Sequence, residues 1–336
     1  MPIIQSISRF VRTLVVPFST ASNISKQKNF IKKHIDPELE KAKKSGDGSL
    51  DENDYKKITG YYGLAVPAIL GEAFCALRGD SMTDNERMAS TCQGAMTGLG
   101  DDFFDKQRLS DQGVKDFIEK PELFIGNSSS ERLFLDFYKT ALANAPQRAQ
   151  MQQQIFKVFQ AQLLSKQQDS PGLSYEIIKD ITIRKGAESL LYYRTAFEHP
   201  VKNGEEKMLY ALGGLMQLSN DIFDVYKDHQ SGVSTLVTTA TKIKELRFYY
   251  SALLQTGKEA ALRSGYPKKN VRKFIRIISI GIFSRCYVCL DQLEKNEKRT
   301  NGVFDLKAYL RKDLVCDMDT TGNKLRSLGY HFKISK

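Results

Sequence analysis

The sequence is short of the residues on which several common protein chemistries depend. It has no tryptophan, five cysteines and only four histidines in 336 residues. The odd number and uneven spacing of the cysteines indicate reduced thiols in a cytoplasm-like compartment rather than a disulfide framework. No histidine lies in a nucleophile motif, so a hydrolase triad has no support. Cys286 and Cys289 form one Cys-x-x-Cys without a second pair, which is not the pattern of a zinc site.

Long apolar runs and alternating patterns are also missing. The longest charge-free run, Ile58–Gly71, has 14 residues, whereas a membrane-spanning helix needs about 20. No segment shows sustained period-two alternation, while apolar residues recur at spacings of three and four, which predicts helices. We therefore expect an all-α fold, organised as one helical domain over residues 36–336. Capping boxes predict helix starts near Ser49, Thr83 and Ser128.

Acidic residues are absent from the first part of the chain. Lys and Arg number 50 against 39 Asp and Glu, a net charge of +11, and residues 1–35 hold six basic residues and no acid. We interpret residues 1–35 as a basic N-terminal extension, most simply a frayed or docked helix, with a transit peptide or an amphipathic helix on an anionic membrane surface as alternatives. Because part of the excess lies there, the charge of the whole chain does not predict a nucleic-acid partner. We expect a cytoplasmic protein, with peripheral contact to a membrane through this extension as an alternative.

Two clusters of oxygen-bearing side chains interrupt apolar helical patterns. One spans residues 100–105, and the other spans residues 220–228. Their members are Asp101, Asp102, Asp105, Asn220, Asp221, Asp224 and Asp228. Side chains four residues apart share a helix face, so Asp101 lies over Asp105, and Asn220, Asp224 and Asp228 form a ladder.

Stacked carboxylates repel one another unless a cation lies between them. Ligands that are all oxygen select Mg²⁺ over zinc or copper, and Mg²⁺ usually shares its coordination with substrate phosphates. Two such helices therefore predict a phosphate-rich substrate held by several Mg²⁺ ions. This interpretation requires Asp101 and Asn220 to face each other across a pocket. The alternative for each cluster is an acidic turn on the protein surface.

The two clusters carry a resemblance to the class I isoprenoid synthase superfamily, which includes terpene synthases and trans-prenyl diphosphate synthases. Asp101-Asp102-x-x-Asp105 is similar to the first aspartate-rich motif of that family. Asn220-Asp221-x-x-Asp224-x-x-x-Asp228 is similar to its second metal-binding motif. The resemblance implies an all-α bundle around a central active-site cavity, in which three Mg²⁺ ions assemble with the substrate diphosphate.

The resemblance also implies roles for single residues. Asp101, Asp102 and Arg184 would be catalytic, with Arg184 sensing the diphosphate, and Lys185 and Lys227 would bind it. Aromatic side chains would line the cavity, because their faces stabilise carbocations. The aromatic candidates are Phe104, Tyr193 and Phe223. The predicted partner is a prenyl diphosphate, and the family is compatible with a homodimer.

Departures from the family pattern decide between its members. Gly60-Tyr61-Tyr62-Gly63 lacks the cations with which prenyl synthases hold a second diphosphate, and Val233 stands where a phosphate-binding lysine is usual. We therefore predict a Mg²⁺-dependent terpene synthase that ionises a linear prenyl diphosphate and releases diphosphate. The alternatives are a prenyl diphosphate synthase that adds isopentenyl diphosphate, and a non-catalytic subunit that binds prenyl diphosphate.

Overall fold

Helices supply all the regular structure that the computed structural model describes. It describes residues 2–106, 111–170 and 172–335, and side chains in 18–100, 112–170 and 172–335. These ranges contain no strand, so the predicted all-α class is confirmed. The α-helices are α1 Pro2–His34, α2 Asp36–Ser45, α3 Glu52–Lys56, α4 Gly63–Ala65, α5 Glu72–Arg78, α6 Asp84–Lys106, α7 Asp111–Glu119, α8 Ser129–Asn144, α9 Arg148–Ser165, α10 Tyr175–Arg194, α11 Glu205–Phe223, α12 Val225–Gln230, α13 Ile243–Leu262, α14 Lys268–Ile278, α15 Ser284–Arg299, α16 Arg311–Leu314 and α17 Thr321–Ile334.

The chain contacts divide into two compact units. The N-terminal unit comprises Leu14–Phe159 and Tyr192–Pro200. The C-terminal unit comprises Met1–Thr13, Gln160–Leu191 and Val201–Lys336. Each unit has its own buried aromatic residues. They are Phe74, Phe117, Phe134 and Tyr138 in the N-terminal unit, and Tyr250, Phe274 and Phe283 in the C-terminal unit.

The N-terminal unit is built around α6, which packs against α8 and against the run from α3 to α5. Two π-helical segments, Lys57–Tyr62 and Val66–Gly71, join α3, α4 and α5 into one helix. Glycine permits the close approach to α6, since a Cβ atom on Gly94 would lie 2.5 Å from the carbonyl oxygen of Tyr62. The close packing of α6 against this run therefore requires glycine at position 94, where a side chain would overlap the backbone of Tyr62.

The same run, Glu52–Arg78, is long and apolar enough to cross a membrane by length and composition. The charge-free stretch inside it, Ile58–Gly71, has only 14 residues and by itself predicted no membrane-spanning helix. In the structure 61% of the most apolar 18-residue window is buried inside the protein. That burial is typical of a core helix in a folded domain. The length and apolar composition of Glu52–Arg78 are therefore weak evidence of a membrane-spanning helix.

Part of the predicted N-terminal extension is packed into the N-terminal unit. Gln27 is fully buried, and its side-chain amide donates to the carbonyl oxygen of Gly63 at 3.1 Å and to Thr91 Oγ1 at 2.9 Å. Ile31 and Ile35 are buried as well. The described end of α1 thus contributes to the core, and residue 35 as a domain boundary stays a prediction.

The predicted helix caps have mixed outcomes. Thr83 and Glu86 form a complete capping box: Glu86 N donates to Thr83 Oγ1 at 3.2 Å, and Thr83 N donates to the Glu86 carboxylate at 2.9 Å. Ser128 caps α8 by accepting from Glu131 N at 3.2 Å. The prediction at Ser49 is wrong, because the box at α3 is formed by Asp51 and Asp54. Asp51, directly before the helix, reaches the free N–H groups that Ser49 does not.

The C-terminal unit is centred on α11, which packs against α13 and α15. Helix α10 crosses α11 at two glycines. A Cβ atom on Gly213 would lie 2.5 Å from the carbonyl oxygen of Gly186, and a Cβ on Gly186 would collide with the carbonyl of Gly213. The Gly213-Gly214 pair therefore serves close packing of α11 against α10. This crossing fixes which residues of α10 stand beside the second acidic cluster.

All five cysteines are free thiols, as predicted. Four of them, Cys75, Cys92, Cys286 and Cys289, are buried, and Cys316 is half-buried. Burial raises the pKa of Cys75, Cys92 and Cys286 to about 12. A thiol with so high a pKa is a poor nucleophile at neutral pH. These three cysteines are therefore core residues.

Candidate functional site

The second acidic cluster, which we call the acidic segment, is Asn220–Asp228 in the C-terminal unit. Helix α11 ends at Phe223, Asp224 leaves helical geometry with ψ near 8°, and α12 begins at Val225. The backbone N–H groups of Asp224 and Asp228 still donate to the carbonyls four residues earlier, both at 2.9 Å. The predicted ladder of Asn220, Asp224 and Asp228 thus keeps its spacing across a bend, with all three side chains half-buried.

Asp221 lies on the inner side of the acidic segment and is buried. Its carboxylate accepts a hydrogen bond from Gln217 Nε2 at 2.9 Å and a longer one from Thr182 Oγ1 of α10 at 3.4 Å. Burial raises the pKa of Asp221 to about 7, although both hydrogen bonds and the charge of Lys185 oppose the rise. The residue is therefore held between α10 and α11, where a full negative charge is expensive.

Asp224 and Asp228 share this electrostatic character. Burial raises the pKa of Asp224, while Lys227 and a hydrogen bond from Asn220 Nδ2 at 3.5 Å partly offset the effect. Burial and the neighbouring charge of Asp224 raise the pKa of Asp228 to about 6. Among the described side chains, none of Asp221, Asp224 and Asp228 has a cation within ion-pair distance. Three carboxyl groups are thus gathered where ionisation is unfavourable.

The acidic segment fits Mg²⁺ by its donor chemistry. An amide oxygen of Asn220 and carboxylates of Asp224 and Asp228 are hard ligands, and a bound cation would relieve the cost of their ionisation. Within the described side chains, however, no three His, Cys, Asp or Glu residues come close enough to hold a metal by themselves. A metal here would need further oxygen ligands, which water and phosphate supply for Mg²⁺.

The cations predicted to bind diphosphate occupy different positions. Lys185 is half-buried, and its charge lowers the pKa of Asp221 and of Asp228. Lys227 is exposed and lowers the pKa of Asp224 and Asp228. Arg184 is exposed on another face of α10, where its guanidinium lies 3.9 Å from Asp180. Lys185 and Lys227, rather than Arg184, therefore form the electrostatic surroundings of the acidic segment.

Two arginines that the sequence did not single out lie against aromatic residues of this segment. The guanidinium of Arg285 lies 5.8 Å from the ring centre of Phe223, and that of Arg311 lies 6.0 Å from the ring centre of Tyr226. Helix α16, which begins at Arg311, also contacts α12. No spacing rule connects these arginines to Asn220–Asp228, because only the folding of the chain brings α15 and α16 to it.

The loop after α12 is held in place by hydrogen bonds. Val233 N donates to the carbonyl oxygen of Asp228 at 2.9 Å, and Ser234 exchanges two hydrogen bonds with Gln168, at 2.8 and 2.9 Å. Val233 is half-buried. The position where the family resemblance expects a lysine is therefore an ordered part of the C-terminal unit, next to Asp228.

The first acidic cluster cannot be placed in the same way. The backbone of residues 101–106 is the end of α6, but the side chains of Asp101, Asp102, Phe104 and Asp105 lie outside the described residues. The expectation that Asp101 faces Asn220 stays a prediction. Tyr193 is buried in the N-terminal unit, where its hydroxyl and Thr97 Oγ1 are 2.8 Å apart.

Comparison with known proteins adds one structural likeness. No protein-family model matches the sequence, and no curated protein matches it. The fold is similar to that of a dehydrosqualene synthase solved in complex with ligand, with 13% sequence identity and a TM-score of 0.46, over 94% of this chain and 96% of that chain. With so few identical residues, the roles of single side chains have to be derived from the geometry of this chain.

Proposed function

We propose that the protein is a Mg²⁺-dependent enzyme that ionises a linear prenyl diphosphate, and that it acts as a class I terpene synthase. The observation that carries the proposal is the acidic segment, where buried and half-buried carboxyl groups have raised pKa values and no cation among the described side chains pairs with them. A structural ion pair would lower these values. Their elevation instead suits a site completed by a metal that arrives with its substrate.

Magnesium would be held by Asn220, Asp224 and Asp228, with water and phosphate oxygens completing its coordination. When bound, it supplies positive charge that stabilises the diphosphate as a leaving group. Asp221 would not need to touch the metal: it accepts hydrogen bonds from Gln217 and Thr182, and so positions α11 against α10. The protein thereby fixes the direction in which its ligand ladder points.

The cations of the chain would bind the phosphate oxygens directly. Lys185 and Lys227 are the first candidates, because their charges already act on the acidic segment. Arg311 is a further candidate, since α16 contacts α12. Phe223 and Tyr226 would offer aromatic faces to a carbocation, which is worth about 0.5–2 kcal/mol for each ring. Arg184 is a weaker candidate, because it lies on another face of α10, beside Asp180.

The decisive experiment is incubation of the purified chain with Mg²⁺ and linear prenyl diphosphates of increasing length. We expect release of diphosphate together with a hydrocarbon or terpene alcohol, detected by mass spectrometry. A longer diphosphate, formed only when isopentenyl diphosphate is added, would instead establish the prenyl synthase alternative. Binding of prenyl diphosphate in calorimetry without any turnover would establish the non-catalytic subunit.

Paired variants test whether the acidic segment is responsible. D224N/D228N should abolish turnover and the Mg²⁺-dependent rise in melting temperature, because loss of ligand charge removes the metal. The matched control is E206Q/E245Q, which removes two exposed acids from the first turns of α11 and α13. The control should behave as wild type in both assays. Equal activity in D224N/D228N and wild type would refute this assignment of the site.

A further inference from the structure

The positive charge of the chain is concentrated in two places. Residues 1–35 contribute +6, and residues 260–290 contribute +7, since that stretch has seven Lys and Arg residues and no acid. Subtracting both from the total of +11 leaves −2 for the rest of the chain. The second concentration lies far from the N-terminus, in and around α14. The excess is therefore a local property of two segments.

Helix α14 separates apolar and basic residues by face. Its apolar side chains are buried in the C-terminal unit: Val271, Phe274, Ile275, Ile277 and Ile278. Four cations on the opposite side are exposed, and we call them the basic face: Lys268, Lys269, Arg272 and Lys273. An eleven-residue helix is about 16 Å long, so these four charges lie within a small area.

Acids that could neutralise the basic face are engaged elsewhere or absent. Glu259 pairs with Arg263 at 3.5 Å. Glu205 is buried and accepts from the hydroxyl of Tyr266 at 2.6 Å. Among the described side chains, no carboxylate lies within 4.0 Å of the basic-face cations. The face is thus presented to solvent as uncompensated charge.

Helix α14 is electrostatically unfavourable in isolation. Lys268 and Lys269 lie in its first turn, where the helix dipole disfavours cations, and no acid is present there. Lys268 and Arg272, like Lys269 and Lys273, repel each other at a spacing of four residues. The buried apolar face holds the helix despite this repulsion. An external anionic surface would turn each of these costs into a gain.

We propose that the basic face binds the surface of an anionic phospholipid bilayer. Two exposed apolar side chains near α14 favour a bilayer over other polyanions. Leu262 is the last residue of α13, which precedes α14. Val201 lies in the loop before α11, and this loop is close to the turn that joins α13 to α14. That loop approaches closely, since a Cβ atom on Gly204 would lie 3.3 Å from the carbonyl oxygen of Arg263. Exposed cations accompanied by exposed aliphatic residues in neighbouring segments are typical of proteins at a membrane interface.

A nucleic-acid partner is less well served by the same surface. Bases are usually bound by stacking on exposed aromatic rings. The nearby aromatic residue, Tyr266, is buried, and Lys202 Nζ lies 4.7 Å from its ring centre. The proposal concerns where the protein resides and does not depend on its diphosphate chemistry.

The test is flotation of the full chain with phosphatidylcholine vesicles, with and without phosphatidylglycerol. We expect binding only when phosphatidylglycerol is present, and loss of binding at high salt, because exposed charges are screened. Each cation near an anionic surface is worth about fivefold in affinity, so K268Q/K269Q/R272Q/K273Q should bind at least a hundredfold more weakly. Glutamine is a good helix former, and circular dichroism would verify that the variant folds.

The control removes the same charge elsewhere in the C-terminal unit. K244Q/K295Q/K298Q/K307Q neutralises four exposed lysines outside α14 and should retain binding. A second variant, R9Q/R12Q, measures the share of the N-terminal segment. Equal binding by wild type and the α14 variant would overturn the proposal. So would α14-dependent binding to duplex DNA, measured by fluorescence anisotropy, without binding to vesicles.

Discussion

Buried carboxylates occur in both units, and their surroundings are opposite. In the N-terminal unit, Glu86 is fully buried and forms a two-pronged ion pair with Arg78, one prong at 2.6 Å. It also accepts from the backbone N–H groups of Glu198 and Thr83, both at 2.9 Å. Burial alone would raise the pKa of Glu86, but the bonds from Arg78, Glu198 and Thr83 outweigh it and leave the pKa lowered.

In the acidic segment of the C-terminal unit, Asp221 is buried and Asp224 and Asp228 are half-buried, and none of the three has a cation within ion-pair distance among the described side chains. Burial raises the pKa of Asp221 to about 7 and contributes most to the rise of Asp228 to about 6. Burial of an acidic side chain is therefore not by itself a sign of function. A carboxylate whose charge is compensated by its own chain is structural, whereas the uncompensated carboxylates of the acidic segment are consistent with the Mg²⁺ site that we propose.

The largest effect on stability is expected when Glu86 loses its cationic partner Arg78. R78M should lower the free energy of unfolding by about 3–5 kcal/mol at pH 7, because Glu86 is left buried without its cation. The pKa of Glu86 is lowered in wild type and would be raised in R78M, so the penalty should shrink as the pH falls and Glu86 of the variant becomes protonated, and it should vanish only below the wild-type pKa. Chemical denaturation at several pH values measures both.

R263M is the matched control for this experiment, because Arg263 forms an exposed ion pair with Glu259. Exposed pairs contribute about 0–1 kcal/mol, so its effect should be small at every pH. If R78M and R263M were equally stable, the ion pair of Glu86 would not be what distinguishes the N-terminal site.

The next effect concerns the helix crossing that positions Asp221. G213A should destabilise the protein by about 2–4 kcal/mol, since the added Cβ atom overlaps the backbone of Gly186. G329A provides the control, because an added Cβ in the exposed interior of α17 meets nothing within 4 Å. It should be neutral or stabilise by up to about 1 kcal/mol. Thermal unfolding distinguishes the two, and a neutral G213A would mean that α10 and α11 are not held this closely.

The smallest effect is a gain of stability when the buried carboxylate of Asp221 in the acidic segment is neutralised. D221N should raise the free energy of unfolding by about 1–3 kcal/mol at pH 8 without Mg²⁺, because it removes an unfavourable buried charge. The sign follows from the raised pKa of Asp221 in the folded protein. Because the folded state binds more protons than the unfolded state, wild type loses stability as the pH rises from about 4 to about 7.

The difference between D221N and wild type should therefore vanish below about pH 4 and reach its maximum above pH 7. D319N serves as the control, since the side chain of Asp319 is 98% exposed, and it should show no such dependence. A D221N protein that is less stable than wild type at pH 8 would contradict the assignment of Asp221 as an uncompensated acid.

Local patterns predicted the buried stripe of α11 and the spacing of the acidic segment. The apolar stripe of α11, which includes Met208, Leu215 and Ile222, is buried as its spacing required. The ladder of Asn220, Asp224 and Asp228 follows from the helical period, and it survives because the backbone hydrogen bonds continue through the bend at Asp224. Such features depend on neighbours within a few residues, which the sequence displays directly.

Other features could not be predicted because they depend on distant segments. The family resemblance gave Arg184 the role of diphosphate sensor, yet of these two cations it is Lys185 whose charge acts on Asp228. One residue changes the direction of a side chain by about 100° around a helix, and only the crossing at Gly186 and Gly213 decides which direction faces α11. Arg285 and Arg311 gave no signal for the same reason.

By itself, the sequence determined the all-helical class, the position of the acidic segment and the two concentrations of positive charge. These are set by side-chain period and composition along the chain. The tertiary structure alone decided that Glu86 has a cationic partner while Asp221 and Asp228 do not. Whether a buried charge is compensated depends on atoms from other elements within a few ångströms, and sequence separation carries no information about that distance.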